Sequence, residues 1–229
     1  MIQEAIILAG GLGTRLRSVV ADVPKCMAPV KGVPFISYII AYLQKQGVSR
    51  FVFSLGYKSE VVIDYVNTHF ASIEKEYVIE DEPLGTGGAI KAACQKAVNE
   101  NVLVFNGDTF FDIDLKKLSA FHAKHNAACS LALKPMTNFS RYGAVDIDAN
   151  NSITAFHEKQ FCESGMINGG IYALQTKTVI EASFPDKFSF EKDFLEQNTG
   201  TGKLFAMPFN NYFIDIGIPE DYERANNEL

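Results

Sequence analysis

Short, wholly apolar runs alternate with segments of helical period through the first half of the chain, and this alternation limits the fold more than any other feature. Ala5 to Ala9 (AIILA) is apolar at every position and bounded by glycine, as a strand covered on both faces must be. Phe35, Ile36, Ile39, Ile40 and Leu43 then recur at helical spacing, and Gly47 supplies a stop. Phe51 to Leu55 reads as a second strand, and Val62, Tyr65, Val66 and His69 line a second helix. A strand around Tyr77 to Ile79 precedes a glycine-rich loop, and Ala89, Ile90, Ala93, Cys94 and Ala97 mark a third helix. Val102 to Phe105 is again a buried strand, stopping at Asn106-Gly107-Asp108.

Beyond residue 110 the pattern loosens. Leu115 to His125 reads as a helix and Cys129 to Leu133 as a strand, while Ala144 to Ile147 and Ile171 to Leu174 alternate as antiparallel additions would. There is no internal repeat, low-complexity tract or Pro/Ser-rich linker. The expectation is an α/β fold: one Rossmann-like domain over residues 1–229, with a mixed, mostly parallel central sheet and helices on both faces. In such sheets ligands sit beyond the carboxyl ends of the strands, where the first glycine loop and the Asn-Gly-Asp turn both fall.

With 47% apolar and 21% charged residues, the 229-residue chain has the composition of a globular protein with a proper core. A formal charge of −6 argues against electrostatic binding to nucleic acid or to an anionic membrane. Cys26, Cys94, Cys129 and Cys162 have no metal-like spacing and read as free thiols in a reducing compartment. The opening MIQEAIILAGG lacks a basic n-region and its apolar run is too short for a signal peptide or span, so a cytoplasmic location is expected. The sequence leaves a homo-oligomer open.

Gly10-Gly11-Leu12-Gly13-Thr14-Arg15-Leu16 follows the first strand directly. Glycines let backbone N–H groups approach phosphate oxygens, and the Arg15 fork suits phosphate. A Walker A loop would need a Lys-Ser/Thr pair that is missing. A dinucleotide fingerprint would need a third glycine where Leu16 stands, and an acid closing the next strand. A purely structural turn accounts for the glycines but not for Thr14-Arg15. Lys25, after Pro24, is either solvated surface or concentrated positive charge beside the loop. Asp108 stands at a strand end. Asp215 is embedded in the apolar run Tyr212 to Gly217, where a carboxylate needs donors or a cation. Two such carboxylates suit Mg²⁺, which takes one or two of them and fills its remaining positions with phosphate and water.

These residues carry a resemblance. GGLGTRL with Pro24-Lys25 is similar to the signature of the sugar-1-phosphate nucleotidylyltransferases. Leu84-Gly85-Thr86-Gly87-Gly88-Ala89, Asn106-Gly107-Asp108, Phe156-His157-Glu158-Lys159, Asn168-Gly169-Gly170-Ile171-Tyr172 and Phe213-Ile214-Asp215-Ile216-Gly217 extend it in order along the chain. Within the family, Arg141-Tyr142-Gly143, Ile167-Asn168-Gly169-Gly170 and Phe188-Ser189-Phe190-Glu191 resemble the heptose-1-phosphate guanylyltransferases. Cys26-Met27 stands where many relatives have Pro-Met, a departure that removes no charge. No C-terminal β-helix follows, so acetyl transfer is not expected.

The resemblance implies attack of a sugar-phosphate oxygen on the α-phosphorus of a nucleoside triphosphate, with release of pyrophosphate. It gives Arg15, Lys25 and Asp108 catalytic roles: Arg15 on the β- and γ-phosphates, Lys25 on the attacking and α-phosphates, Asp108 with Asp215 on Mg²⁺. It assigns nucleotide binding to Leu8, Gly10, Gly11, Gly13, Thr14, Arg15, Glu80, Gly85 and Thr86. Gly143, Glu158, Lys159, Asn168 and Gly169 would line the sugar-phosphate pocket, Lys159 meeting the phosphate and Glu158 the hydroxyls. Residues 1–110 would thus serve mainly the nucleotide and 111–229 mainly the sugar phosphate.

Glu80 favours GTP, because a carboxylate accepts guanine N1–H and N2–H₂ together, though a backbone carbonyl can read the same edge. The expected product is the GDP derivative of D-glycero-α-D-manno-heptose. Mannose 1-phosphate with GTP, an amino-sugar phosphate with UTP, and a non-catalytic nucleotide-binding subunit are the competing readings. The failed fingerprint disfavours an NAD-dependent enzyme. His122 and His125 share a helix face, which reads as polar surface for want of a third metal ligand.

Overall fold

The computed structural model describes all residues except 12, 14, 15, 17, 18, 21 and 22. Strand β1 (Glu4–Ala9) leads through the glycine loop to the small pair β2 (Pro29–Val30) and β3 (Val33–Pro34), then to α1 (Phe35–Lys45) and β4 (Arg50–Leu55). Helix α2 (Ser59–His69), β5 (Glu74–Ile79), α3 (Gly85–Cys94) and β6 (Asn101–Asn106) complete the alternating half. There follow β7 (Thr109–Phe111), α4 (Leu115–His125), β8 (Cys129–Phe139), β9 (Val145–Ile147), β10 (Ile153–Phe156), β11 (Cys162–Gln175) and α5 (Thr176–Ile180). A π-helical turn over Phe190–Leu195, β12 (Leu204–Pro208), β13 (Phe213–Asp215) and α6 (Pro219–Glu228) end the chain.

A seven-stranded sheet of order β12-β8-β11-β6-β1-β4-β5 runs through both halves. β6, β1, β4 and β5 are mutually parallel, β11 is antiparallel to β6 and β8, and β12 is parallel to β8. β1 shows why an unbroken apolar run was required. Its Ala5, Ile7 and Ala9 face one core with Ile36, Ile39 and Ile40 of α1 and Val62 of α2, while Ile6 faces the other with Ile90 and Ala93 of α3. Helices therefore cover both faces, as expected. The chain leaves β1 toward β4 on one side and returns to β6 on the other, which opens a crevice at the carboxyl ends of β1 and β6.

Three local expectations are corrected. Gly85 to Gly88, read as loop, form the first turn of α3, which ends at Cys94 rather than at Ala97; glycine's poor helix propensity hid the turn. β8 and β11 extend well past the apolar stretches that flagged them, pairing from Leu174↔Cys129 out to Cys162↔Phe139. Their outer halves carry exposed polar residues, so hydrophobic periodicity could not mark them. His122 is not on a polar face. It is buried, with its ring nitrogens on Ser130 Oγ and Asn101 Oδ1, both at 3.0 Å, and His125 packs on Phe121 and Phe205.

Candidate active site

The crevice is set by two close backbone approaches. Gly107 N–H donates to Leu8 O at 2.8 Å, and a Cβ at Gly107 would lie 2.8 Å from that same oxygen, so this turn admits no side chain. Across the site, β13 pairs antiparallel with β7, setting Asp215 opposite Thr109, and Ile216 N–H donates to Asp108 O at 3.0 Å. A strand pairing thus brings together two aspartates far apart in sequence.

Lys25 joins them. It starts a single 3₁₀ turn, Lys25–Met27, whose Cys26 and Met27 are buried and anchor the base of its side chain. Its ammonium makes an ion pair with Asp108 and lies 3.7 Å from Asp215 Oδ1. Asp108 also accepts from Thr109 Oγ1 at 3.1 Å, and Asp215 Oδ1 accepts from Gly217 N–H at 2.8 Å. Burial, and next the charge of Asp108, raise the Asp215 carboxyl above its ordinary pKa, against the opposing pull of Lys25, the Gly217 amide and Arg141. Burial and the neighbouring Asp108 push the Cys26 thiol up to about 12, so it is neutral and no nucleophile.

Two cavities flank this centre. One of about 330 Å³ is lined by Leu8, Gly10, Gly11, Glu80, Gly85 and Thr86, residues expected at the nucleotide, together with the expected metal ligand Asp108. Gly13 packs instead against Lys25, and a Cβ added at Gly13 would lie 3.0 Å from Lys25 Cβ. Thr14 and Arg15 lie outside the described residues. Glu80 Oε1 accepts from Ser54 Oγ at 3.2 Å and Oε2 from Leu84 N–H at 3.0 Å, so the carboxylate braces the start of α3 while it faces the cavity. Thr86 spends its hydroxyl within the protein, donating to Glu191 at 2.7 Å and accepting from Phe190 N–H at 2.9 Å.

The other cavity, about 420 Å³, is lined by Gly143, Glu158, Lys159, Asn168 and Gly169, the residues expected at the sugar phosphate, together with the expected metal ligand Asp215. A register shift in β11 between Asn168 and Tyr172 bends the strand beside it, a usual place for a bulge. Asn168 is held by Tyr172 Oη at 2.8 Å and by Gly170 N–H at 3.0 Å. Glu158 lies 3.5 Å from Lys192 Nζ.

Asn106 and Glu191 line both cavities, so nucleotide and sugar sides form one cleft across the Lys25–Asp108–Asp215 centre. Sequence reasoning gave Asn106, Arg141, Tyr142 and Glu191 no role, although each stood inside a motif that carried the resemblance. Lys192 and Glu196 carried no signal beyond ordinary surface charge.

A glycine-rich loop at a sheet switch point, a lysine between two carboxylates, and cavities on either side suit an enzyme that joins two phosphate-bearing substrates. The chain belongs to the nucleotidyl transferase family, whose model matches residues 4–229. It is 49% identical over 227 residues to a D-glycero-α-D-manno-heptose 1-phosphate guanylyltransferase of Aneurinibacillus thermoaerophilus, covering 99% of this chain and 98% of the relative. A Campylobacter jejuni protein of the same description is 48% identical over 219 residues, covering 96% of each. The crystal structure of HddC from Yersinia pseudotuberculosis complexed with GMP-PN superposes with a TM-score of 0.89 at 41% identity, covering 99% of both chains. Among the described residues, no helix is long and apolar enough to cross a membrane.

Proposed function

We propose that this chain transfers a guanylyl group from GTP to D-glycero-α-D-manno-heptose 1-phosphate. The observation that carries the reading is the single cleft in which a nucleotide-side cavity bearing Asp108 and a sugar-side cavity bearing Asp215 meet beside Lys25. Near-complete coverage by guanylyltransferases at 48–49% identity supports the choice of substrates. An oxygen of the sugar phosphate bonds to the α-phosphorus, the bond from that phosphorus to the bridging oxygen breaks, and pyrophosphate leaves with the electron pair. The attacking phosphate is already ionised, so the protein's work is positioning and charge neutralisation.

Asp108 and Asp215 fit a divalent cation. Both carboxylates lie within reach of one nitrogen, Lys25 Nζ, and burial, with the charge of Asp108 next, raises the Asp215 pKa, a penalty on the charged form that a divalent cation would relieve. Hard oxygen donors suit Mg²⁺, which would neutralise charge on the reacting phosphates. Lys25 serves the attacking and α-phosphates, and Arg15, by the family resemblance, the β- and γ-phosphates. Glu80 accepts the guanine N–H edge with the lone pairs that Ser54 and Leu84 leave open. Lys159 and Glu158 take the phosphate and the hydroxyls of the sugar. Buried free thiols and a GTP substrate support a cytoplasmic location.

The test is pyrophosphate release from four nucleoside triphosphates set against heptose, mannose and amino-sugar 1-phosphates with Mg²⁺. GTP with the heptose phosphate should give the highest kcat/KM. Higher turnover of mannose 1-phosphate, or of UTP with an amino sugar, would replace the substrate assignment, and silence of every pair would overturn nucleotidyl transfer itself.

A further inference from the structure

Arg141 follows β8 and lines the sugar-side cavity. Its guanidinium makes an ion pair with Asp221, and its Nη2 lies 3.9 Å from Asp215 Oδ2 and 3.4 Å from Tyr142 Oη. Asp221 sits in the first turn of α6, just after Pro219, where the helix dipole favours a carboxylate. That carboxylate is nearly buried, with 13% of its side chain exposed, and its other oxygen lies 2.9 Å from Arg224 Nη1. Arg141 is therefore held from behind by a fixed acid while 37% of its own side chain stays open.

The two oxygens of Asp215 separate two cations. Oδ1 faces Lys25 and the Gly217 amide, and Oδ2 faces Arg141 and the Tyr142 hydroxyl. Lys25 lies toward Asp108 and the nucleotide side, whereas Arg141 belongs to the sugar-side wall. Arginine offers five donors in a planar fork matched to phosphate. Asp221 takes Nη1 and the Tyr142 contact is long, which leaves donors for an anion beside Asp215. A fork already immobilised by Asp221 loses little further conformational freedom when that anion binds.

We propose that Arg141 binds the phosphate of the sugar 1-phosphate and that Asp221 is its positioning residue; the inference rests on the nucleotidyl-transfer reading above. The intact protein, with GTP and Mg²⁺, is assayed for pyrophosphate release while each substrate is varied in turn. Arg141→Met should raise KM for the sugar 1-phosphate by about tenfold or more and leave KM for GTP within about twofold, as loss of a charge-assisted contact requires. Arg141→Lys, which keeps the charge without the fork, should fall between. Asp221→Asn should raise the same KM severalfold, Asp221→Glu should recover part of it, and Asp221→Asn should add nothing in the Arg141→Met background. Calorimetric titration of sugar 1-phosphate into the protein without nucleotide should weaken in parallel.

Equal rises in both KM values, a fall in kcat alone, or additive effects of the two substitutions would overturn the proposal and make Arg141 a support for Asp215. Should Arg141→Met fail to fold, Arg141→Lys and Asp221→Asn carry the same test, with melting temperature as the control. A wild-type protein silent toward every substrate pair sinks the underlying reaction instead, so the two failures are distinguishable.

Discussion

Glu4 opens β1 with no exposed surface, and replacing it by alanine is expected to cost about 3 kcal/mol of stability. Its carboxylate accepts from Arg50 Nε at 2.9 Å, from Asn99 N–H at 2.9 Å and Nδ2 at 2.8 Å, and from Val98 N–H at 3.1 Å. Breaking a buried pair costs roughly 3–5 kcal/mol, because the surviving charge loses its partner without regaining water. The lower end applies here. Arg50, itself 8% exposed, keeps Glu74 Oε1 at 3.1 Å and Lys96 O at 3.0 Å, and Val98 and Asn99 belong to an exposed turn that water can enter. For a chain of this size each kcal/mol moves the melting temperature by about 2–4 °C, so Glu4→Ala should melt about 6–12 °C lower.

Urea and thermal unfolding followed by circular dichroism measure the loss. Glu4 lies at the end of β1 opposite the glycine loop, so kcat/KM at about 20 °C should stay within about twofold of wild type. Glu4→Met with Arg50→Met, which removes both charges together, should recover at least half of the loss. A loss under about 1 kcal/mol from Glu4→Ala, or a double variant no more stable than the single one, would refute the reasoning.

Asp108→Asn and Asp215→Asn should each abolish pyrophosphate release while shifting the melting temperature far less than Glu4→Ala; near-normal rates would remove the metal assignment. A Cβ at Gly169 would fall 2.5 Å from Phe111 Cδ1 and 2.9 Å from Ala132 O. Gly169→Ala should therefore cost about 1–3 kcal/mol and, by pushing on β7, lower kcat through Asp215; unchanged kcat and stability would contradict the packing. Glu80→Gln should narrow the preference for GTP over UTP, and an unaltered ratio would move base reading to the backbone. Burial lowers the His122 pKa to about 4. The unfolded chain therefore binds the proton first as pH falls below about 6.5, and up to about 3 kcal/mol of stability present at neutral pH is lost toward pH 4. His122→Gln should flatten that part of the urea-midpoint profile, and a profile matching wild type would refute the assignment.

Local patterns were enough for much of this. An all-apolar run such as Ala5 to Ala9 has one stable home, a strand covered on both faces, and glycines at its end leave room for a phosphate. Arg141 and Glu191 were visible as members of motifs, but what they touch was not. Periodicity also passed over the polar outer arms of β8 and β11 and the glycine-built first turn of α3, because their residues are chosen for cavity walls and close approach.

From the sequence by itself came the α/β architecture, the glycine loop as a candidate for phosphate, and the candidates Lys25, Asp108 and Asp215. The resemblance put the two aspartates on one cation; only the tertiary structure shows how they meet. β13 pairs with β7 through backbone hydrogen bonds, which carry no side-chain signature, and this pairing sets Asp215 beside Asp108 with Lys25 between them. A long-range pairing is chosen by the fold as a whole, so no segment of the chain could announce it.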